Sequence, residues 1–303
     1  MIARRTALVA LATFPLLARA ATAAPRSPAE DAASGLQPRE QIESRFVPSR
    51  TVQVWLPPGY GSSRARYPVI YLHDGQNVYD EPAPFSGKSW EVHRALADGI
   101  AKGRMRPAIL VAVWNNDNRL GEYMPEAALA AAPDAATEPG TDLFRGLPLK
   151  RASVAGDAYL RFLVEELKPR IDARYRTRKG RAHSFLMGSS MGGLISAYAL
   201  VRYPRVFGGA ACLSTAWPIG GGFAADWFAR HLPDRHGHKL YFDYGTGTND
   251  GAIQPFQLRV DAAARAAGYG PHAYRSLPWP GHMHTESAWA ERVHVPLAFL
   301  LSR

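Results

Sequence analysis

"LMGSSMGGL", Leu186 to Leu194, sets two adjacent serines between glycines. Within it, Gly188-Ser189-Ser190-Met191-Gly192 fits the pattern G-x-S-x-G with Ser190 at the centre. Three fixed residues of such common types can coincide by chance, so the flanking segments decide the reading. Upstream, "HSFLMG" (His183 to Gly188) is a short run of strand length, and downstream Leu194 to Arg202 carries a helical pattern. A strand that turns sharply into a helix lifts one hydroxyl above the edge of a sheet, and glycines keep side chains out of the crowded turn. Ser190 occupies the raised position. Ser189, one residue earlier, falls outside it and is expected only to pack.

The same rhythm extends in both directions. "TVQVWLP" (Thr51 to Pro57) alternates and stops at a Pro-Pro-Gly turn, as a strand does. "YPVIYLH" (Tyr67 to His73) and "AILVAVW" (Ala108 to Trp114) are continuous apolar runs, which suit strands covered on both faces. Helical patterns span Trp90 to Lys102 and Asp157 to Arg174. After the serine turn come a strand (Phe207 to Ser214), a helix (Phe223 to His231) and a strand (Lys239 to Gly245). A helix (Gln254 to Ala267), a strand (His272 to Trp279) and a last helix from Thr285 to Leu301 follow. Strands alternating with helices predict an α/β fold, a mainly parallel central sheet flanked by helices on both faces. No repeat or linker divides residues 44–303, so a single domain is expected there. The segment 122–150 interrupts the rhythm with Ala, Pro and Gly and reads as an insertion, placed to lie over the site.

Composition bounds the function. The chain has 303 residues, 47% of them hydrophobic, which is ample for a core. Met1 to Arg5 carries two arginines, Thr6 to Leu17 is apolar, and small residues follow to Ala23. This is the order of a secretory signal over residues 1–23, too short to span a bilayer, and it predicts export to the periplasm or beyond. A flexible leader rich in Ala, Pro and Ser is expected over 24–43. The net charge of +10 loses Arg4, Arg5 and Arg19 with the signal and becomes +7. The cations are scattered, so they read as a solvated basic surface, with neither nucleic acid nor a stable membrane anchor implied. A single cysteine, Cys212 in "GGAACLS", excludes an internal disulfide and reads as a buried thiol.

A serine hydroxyl is a weak nucleophile and needs a base oriented by a third group. In a sheet of this kind the acid follows a later strand. "YFDYGTGTNDG" offers Asp243, inside the strand, and Asp250, in the glycine-rich loop beyond its carboxyl end, where open α/β sheets place ligands. Asp250 is preferred. "WPGHMHTESAW" offers His282 and His284 as the base, just before the last helix. An oxyanion site needs two backbone N–H groups. Met191, after Ser190, supplies one, and Gly75 or Gln76 in "DGQN" supplies the other. Trp114, Asn115 and Trp217 stand at strand ends and are candidates for a substrate pocket, whereas Arg119 and Glu122 are expected to pair with each other. The histidines 231, 236 and 238 have no acidic or cysteine cluster beside them, and no metal is expected.

Taken together, "YPVIYLHDGQN", "VWNNDNRLGEY", "GSSMGGLISAYAL" with "YPRVFGGAACLSTAW", and "HTESAWAERVHVPLAFLL" resemble an esterase family of α/β-hydrolases. Its members include siderophore (enterobactin) esterases, feruloyl and acetylxylan esterases, and mycolyltransferases. The resemblance runs from Tyr67 to the C-terminus and implies the α/β-hydrolase fold. It places the nucleophile on Ser190 and, through Glu286 and Trp289, the base on His284; Thr285 departs from the family's frequent Asn. What it implies is a serine esterase working through Ser190, Asp250 and His284 on a small-molecule ester, without cofactor. A siderophore-type ester is the first expectation. Feruloyl or acetyl carbohydrate esters, acyl transfer, and a non-catalytic binding protein on the same fold are the alternatives.

Overall fold

The computed structural model describes residues 35–79, 87–132 and 153–302. The signal over 1–23 and positions 133–150 of the insertion therefore lie outside the described residues.

Eight strands form one sheet: β1 (Glu40–Ile42), β2 (Arg50–Trp55), β3 (Val69–His73), β4 (Ile109–Val113), β5 (Ser184–Ser189), β6 (Gly209–Leu213), β7 (Lys239–Gly245) and β8 (Tyr274–Trp279). Their spatial order is β1-β2-β4-β3-β5-β6-β7-β8. β2 runs antiparallel to both β1 and β4, and every other pairing is parallel. The mainly parallel sheet agrees with the unbroken apolar runs, since β3, β4 and β6 are buried at all five positions. Alternate side chains feed opposite faces. Val69, Tyr71, Val111, Leu186 and Phe242 pack on one face with the helices Met191–Arg202 and Phe223–Arg230. Ile70, Leu72, Leu110, Met187 and Tyr241 pack on the other with Val92–Ala101 and His294–Leu300. Full burial of each such side chain contributes about 1.5–3 kcal/mol, so both layers are needed.

Three features differ from the pattern reading. β1 lies within the segment expected to be a flexible leader; its three residues are held by pairing Glu40–Ile42 with Arg50–Val52 rather than by any alternation of their own. The helix expected over 157–174 is interrupted by a wider turn at Phe162–Leu167. Pro169 has no N–H to give the carbonyl four residues back, and its ring crowds that carbonyl. The last helix is two, Glu286–Arg292 and His294–Leu300, because Pro296 likewise breaks the ladder at Arg292. Cys212 is fully buried in β6, and burial pushes its thiol pKa well up.

Candidate active site

β5 ends at Ser189 and the helix Met191–Arg202 begins at once, leaving Ser190 as the turn. Its backbone stands at φ 56° and ψ −120°, a conformation that costs a non-glycine residue about 1–3 kcal/mol. The surroundings hold it there. Ser190 N–H donates to the Leu213 carbonyl at 2.9 Å, and its own carbonyl accepts from Leu194 and Ala216, each at 3.1 Å. Gly188 is a steric necessity, since a Cβ there would sit 2.5 Å from the Gly192 backbone; one on Gly192 would come within 3.2 Å of His73 and 3.3 Å of Asp74.

Asp250 and His284, 34 residues apart in sequence, meet beyond the ends of β7 and β8. His284 Nδ1 lies 2.8 Å from Asp250 Oδ1. The other carboxylate oxygen accepts from Ser214 Oγ at 2.6 Å and from Gly245 N–H at 2.5 Å. Burial alone would raise the Asp250 pKa; the His284 hydrogen bond and charge, with Ser214 and Gly245, outweigh it and hold the carboxyl below the usual carboxylate range. Asp243 is engaged elsewhere. It accepts from Arg292 Nη2 at 3.0 Å and from the Tyr241 hydroxyl at 3.0 Å. Burial pushes its pKa up to about 6 despite those donors. His282 is engaged elsewhere, with Nε2 3.6 Å from Glu291 Oε2 and its ring against that of Trp279.

The loop after β3 opens with Asp74 at φ 55° and continues into a single 3-10 turn, Gly75–Asn77. Asp74 is held on three sides. Arg119 grips it with two bonds of 2.7 Å, Asn115 Nδ2 donates at 2.5 Å, and its own backbone N–H donates to the Tyr123 hydroxyl at 3.2 Å. Burial raises the Asp74 pKa, but the Arg119 charge and hydrogen bond outweigh it and leave it lowered. The amides of Gly75 and Gln76 donate to no backbone carbonyl among the described residues. Met191 opens its helix, where first-turn N–H groups have no helical acceptor.

The remaining candidates separate. Trp114 borders a cavity of about 160 Å³ with Gly75, Gln76 and Tyr79, and the Arg39 guanidinium lies over its ring. Asn115 is committed to the Asp74 loop, its N–H also reaching Gln76 Oε1 at 3.3 Å. Trp217 belongs to the core: it is buried, packs on Phe228 and Phe242, and donates its indole N–H to Gln257 at 2.7 Å. The expected pairing of Arg119 with Glu122 is corrected. Glu122 instead binds Arg50 in two bonds of 2.8 and 2.9 Å with both side chains 1% exposed, since a buried carboxylate takes the guanidinium that can desolvate with it. Pattern reading also missed Ser214 and Arg292, both buried beside Asp250; the only sequence signal was a Trp289–Arg292 pair on one face of the last helical segment. The histidines 231 and 238 direct ring nitrogens to backbone carbonyls, with His238 bonded to both Asp234 and Pro204.

Comparison with known proteins places the fold and the family. "Uncharacterized protein YbbA" of Bacillus subtilis (strain 168) is 25% identical over 169 residues, covering 56% of this chain and 58% of that protein, so the match spans little more than half of its length. A ferulic acid esterase structure superposes with a TM-score of 0.61 at 17% identity, over 88% of this chain and 98% of the other. The enterobactin esterase FES from Shigella flexneri, in the presence of enterobactin, superposes with a TM-score of 0.63 at 15% identity, over 87% of this chain and 58% of the other. Likeness at such identities is likeness of fold, and the fold is that of the α/β-hydrolases. The model of the family described as Putative esterase matches residues 44–299, and the chain belongs to that family.

Proposed function

We propose that this chain hydrolyses carboxylic esters through Ser190 as nucleophile, His284 as base and Asp250 as its orienting acid. The observation that carries the reading is the 2.8 Å contact between His284 Nδ1 and buried Asp250, on the sheet edge where Ser190 is raised. An ionised carboxylate can only accept, so Nδ1 carries the proton and Nε2 is left as the basic nitrogen. Nε2 takes the Ser190 proton as Oγ attacks the ester carbonyl. The oxyanion is met by the N–H of Met191 and of Gly75 or Gln76. The imidazolium, stabilised by Asp250, then gives its proton to the departing alkoxide. Water, deprotonated by His284, resolves the acyl-enzyme and returns the free serine.

The substrate proposed first is a siderophore-type ester. The enterobactin esterase of Shigella flexneri shares the fold, and a charge of +7 without residues 1–23 is compatible with an anionic ester. Feruloyl or acetyl carbohydrate esters form the second reading, favoured by the ferulic acid esterase of the same fold and by Trp114 beside the Gly75–Gln76 loop. Export with loss of residues 1–23 belongs to the same proposal, with 44–303 as one catalytic domain carrying the insertion; among the described residues no helix is long and apolar enough to cross a membrane. Turnover of catecholate trilactones, feruloyl sugars and acetyl sugars by the purified protein tests the substrate, with product analysis in the presence of sugar acceptors. At least tenfold higher kcat/KM on the trilactone is the expected result. A preference for sugar esters contradicts it, and acylated sugar in place of free acid establishes transfer.

A further inference from the structure

Ser214 follows β6 directly, with φ 42° and no exposed surface. Its hydroxyl oxygen is met by three groups. Trp289 Nε1 lies at 2.9 Å, Arg292 Nη2 at 2.7 Å and Asp250 Oδ2 at 2.6 Å. A hydroxyl has one proton and two lone pairs, whereas an indole N–H and a guanidinium only donate. Trp289 and Arg292 therefore fill both lone pairs, and the Ser214 proton has one destination, Asp250 Oδ2. Gly245 N–H holds that same oxygen. With Oδ2 taken twice, the carboxylate cannot rotate, and Oδ1 is the atom left for His284.

The charges around this lock are equally constrained. The Arg292 guanidinium lies 3.0 Å from Asp243 and 3.7 Å from Asp250, with all three side chains fully buried. Above the Asp243 pKa of about 6, two carboxylates and one guanidinium leave one negative charge facing His284. Asp243 also has the Tyr241 hydroxyl and the Ser214 N–H bonded to it and the buried Cys212 thiol near it, and the Trp289 ring stands edge-on to His284 at 5.0 Å. Glu286 begins the same helix and lies within charge range of Arg119, while His282 faces Glu291 at 3.6 Å.

We propose that Ser214 and Arg292 are positioning residues for the Asp250–His284 pair: Ser214 locks the carboxylate in the rotamer that faces the base, and the Asp243–Arg292 pair sets the charge the base experiences. This rests on the serine-hydrolase reading above. Asp243 is thus a remote charge on the base rather than its direct partner.

The test uses Ser214→Ala, Ser214→Cys and Asp243→Asn, with kcat, KM and the pH profile of kcat/KM on a short-chain chromogenic ester. Rates are normalised to sites labelled by a fluorophosphonate. Removing the hydroxyl is expected to lower kcat at least tenfold with KM within about twofold, because orientation of the base matters in the transition state. Cysteine, close in size and a weaker donor, is expected to give a smaller loss in the same direction, and covers the case of an alanine variant that does not fold. Asp243→Asn keeps the shape and removes one negative charge, so Asp250 becomes the sole carboxylate beside Arg292. The imidazolium is then less stabilised, and the acid limb of the profile moves to lower pH by about half a unit to one unit. A purely structural role would lower the melting temperature and leave kcat per site and the limb in place. Equal kcat in the folded Ser214 variants overturns the lock, and an unmoved or upward limb in Asp243→Asn overturns the charge balance. The reading of the reaction fails separately, if Ser190→Ala keeps full turnover; NMR titration of the His284 ring in Asp243→Asn then still decides the charge balance without activity.

Discussion

Asp250 Oδ1 stands 2.8 Å from His284 Nδ1, while Asp243, equally buried on the preceding strand, turns to Arg292 instead. The two carboxylates differ by what surrounds them, and they should differ in effect. Asp250→Asn is expected to lower kcat by about 10³–10⁴-fold with little change in KM, because the amide no longer fixes the imidazole tautomer. Steady-state kinetics of Asp250→Asn and Asp243→Asn at the pH optimum check this. An equal or larger loss in Asp243→Asn would reverse the assignment.

Gly188→Ala places a methyl 2.5 Å from the Gly192 backbone, where no flexible side chain can give way. The expected cost is about 1–3 kcal/mol, the usual range for overpacking a tight site, together with a displaced Ser190 and lost turnover. Urea unfolding and fluorophosphonate labelling of the same sample measure the two effects.

Arg119 lies over Asp74 with its side chain 26% exposed, against 3% for Asp74. Arg119→Ala leaves a buried carboxylate without its partner and should destabilise by about 3 kcal/mol, whereas Asp74→Asn should cost less because it removes the charge itself. The Gly75–Gln76 amides follow directly in the chain, so kcat should fall by about 10²-fold in Arg119→Ala. Denaturant titration and kinetics on both variants separate stability from turnover.

The serine elbow and the central strands were legible because their signals are local: small residues at fixed offsets, and runs with no alternation. β1 was not, since "EQI" has no period of its own and depends on pairing with β2. Arg119 and Glu122 invited a pairing by their spacing, yet each found a buried partner far along the chain, Asp74 and Arg50. Ser214 illustrates the same limit. Its three side-chain partners lie 36, 75 and 78 residues away, brought together by the parallel crossovers and by a helix broken at Pro296. A serine in "CLSTAW" carries no mark of that in the sequence.

His73 gives a dependence of stability on pH. It is fully buried at the end of β3, with Nδ1 2.8 Å from the Tyr159 hydroxyl. Burial is the main cause that pushes its pKa down to about 4. Its folded pKa lies below the unfolded value, so the unfolded chain binds the proton first as pH falls. The stability it contributes is present above about pH 6.5 and lost toward pH 4, by about 3 kcal/mol. Urea unfolding at pH 7 and pH 4 should show the parent losing about that much more than His73→Asn.

The most direct measurement compares the purified protein with Ser190→Ala, using a fluorophosphonate probe and a short-chain chromogenic ester. Labelling and turnover that both vanish in the variant are the predicted result. Equal labelling and turnover in the two proteins would contradict Ser190 as the nucleophile, and with it the proposed chemistry of the site.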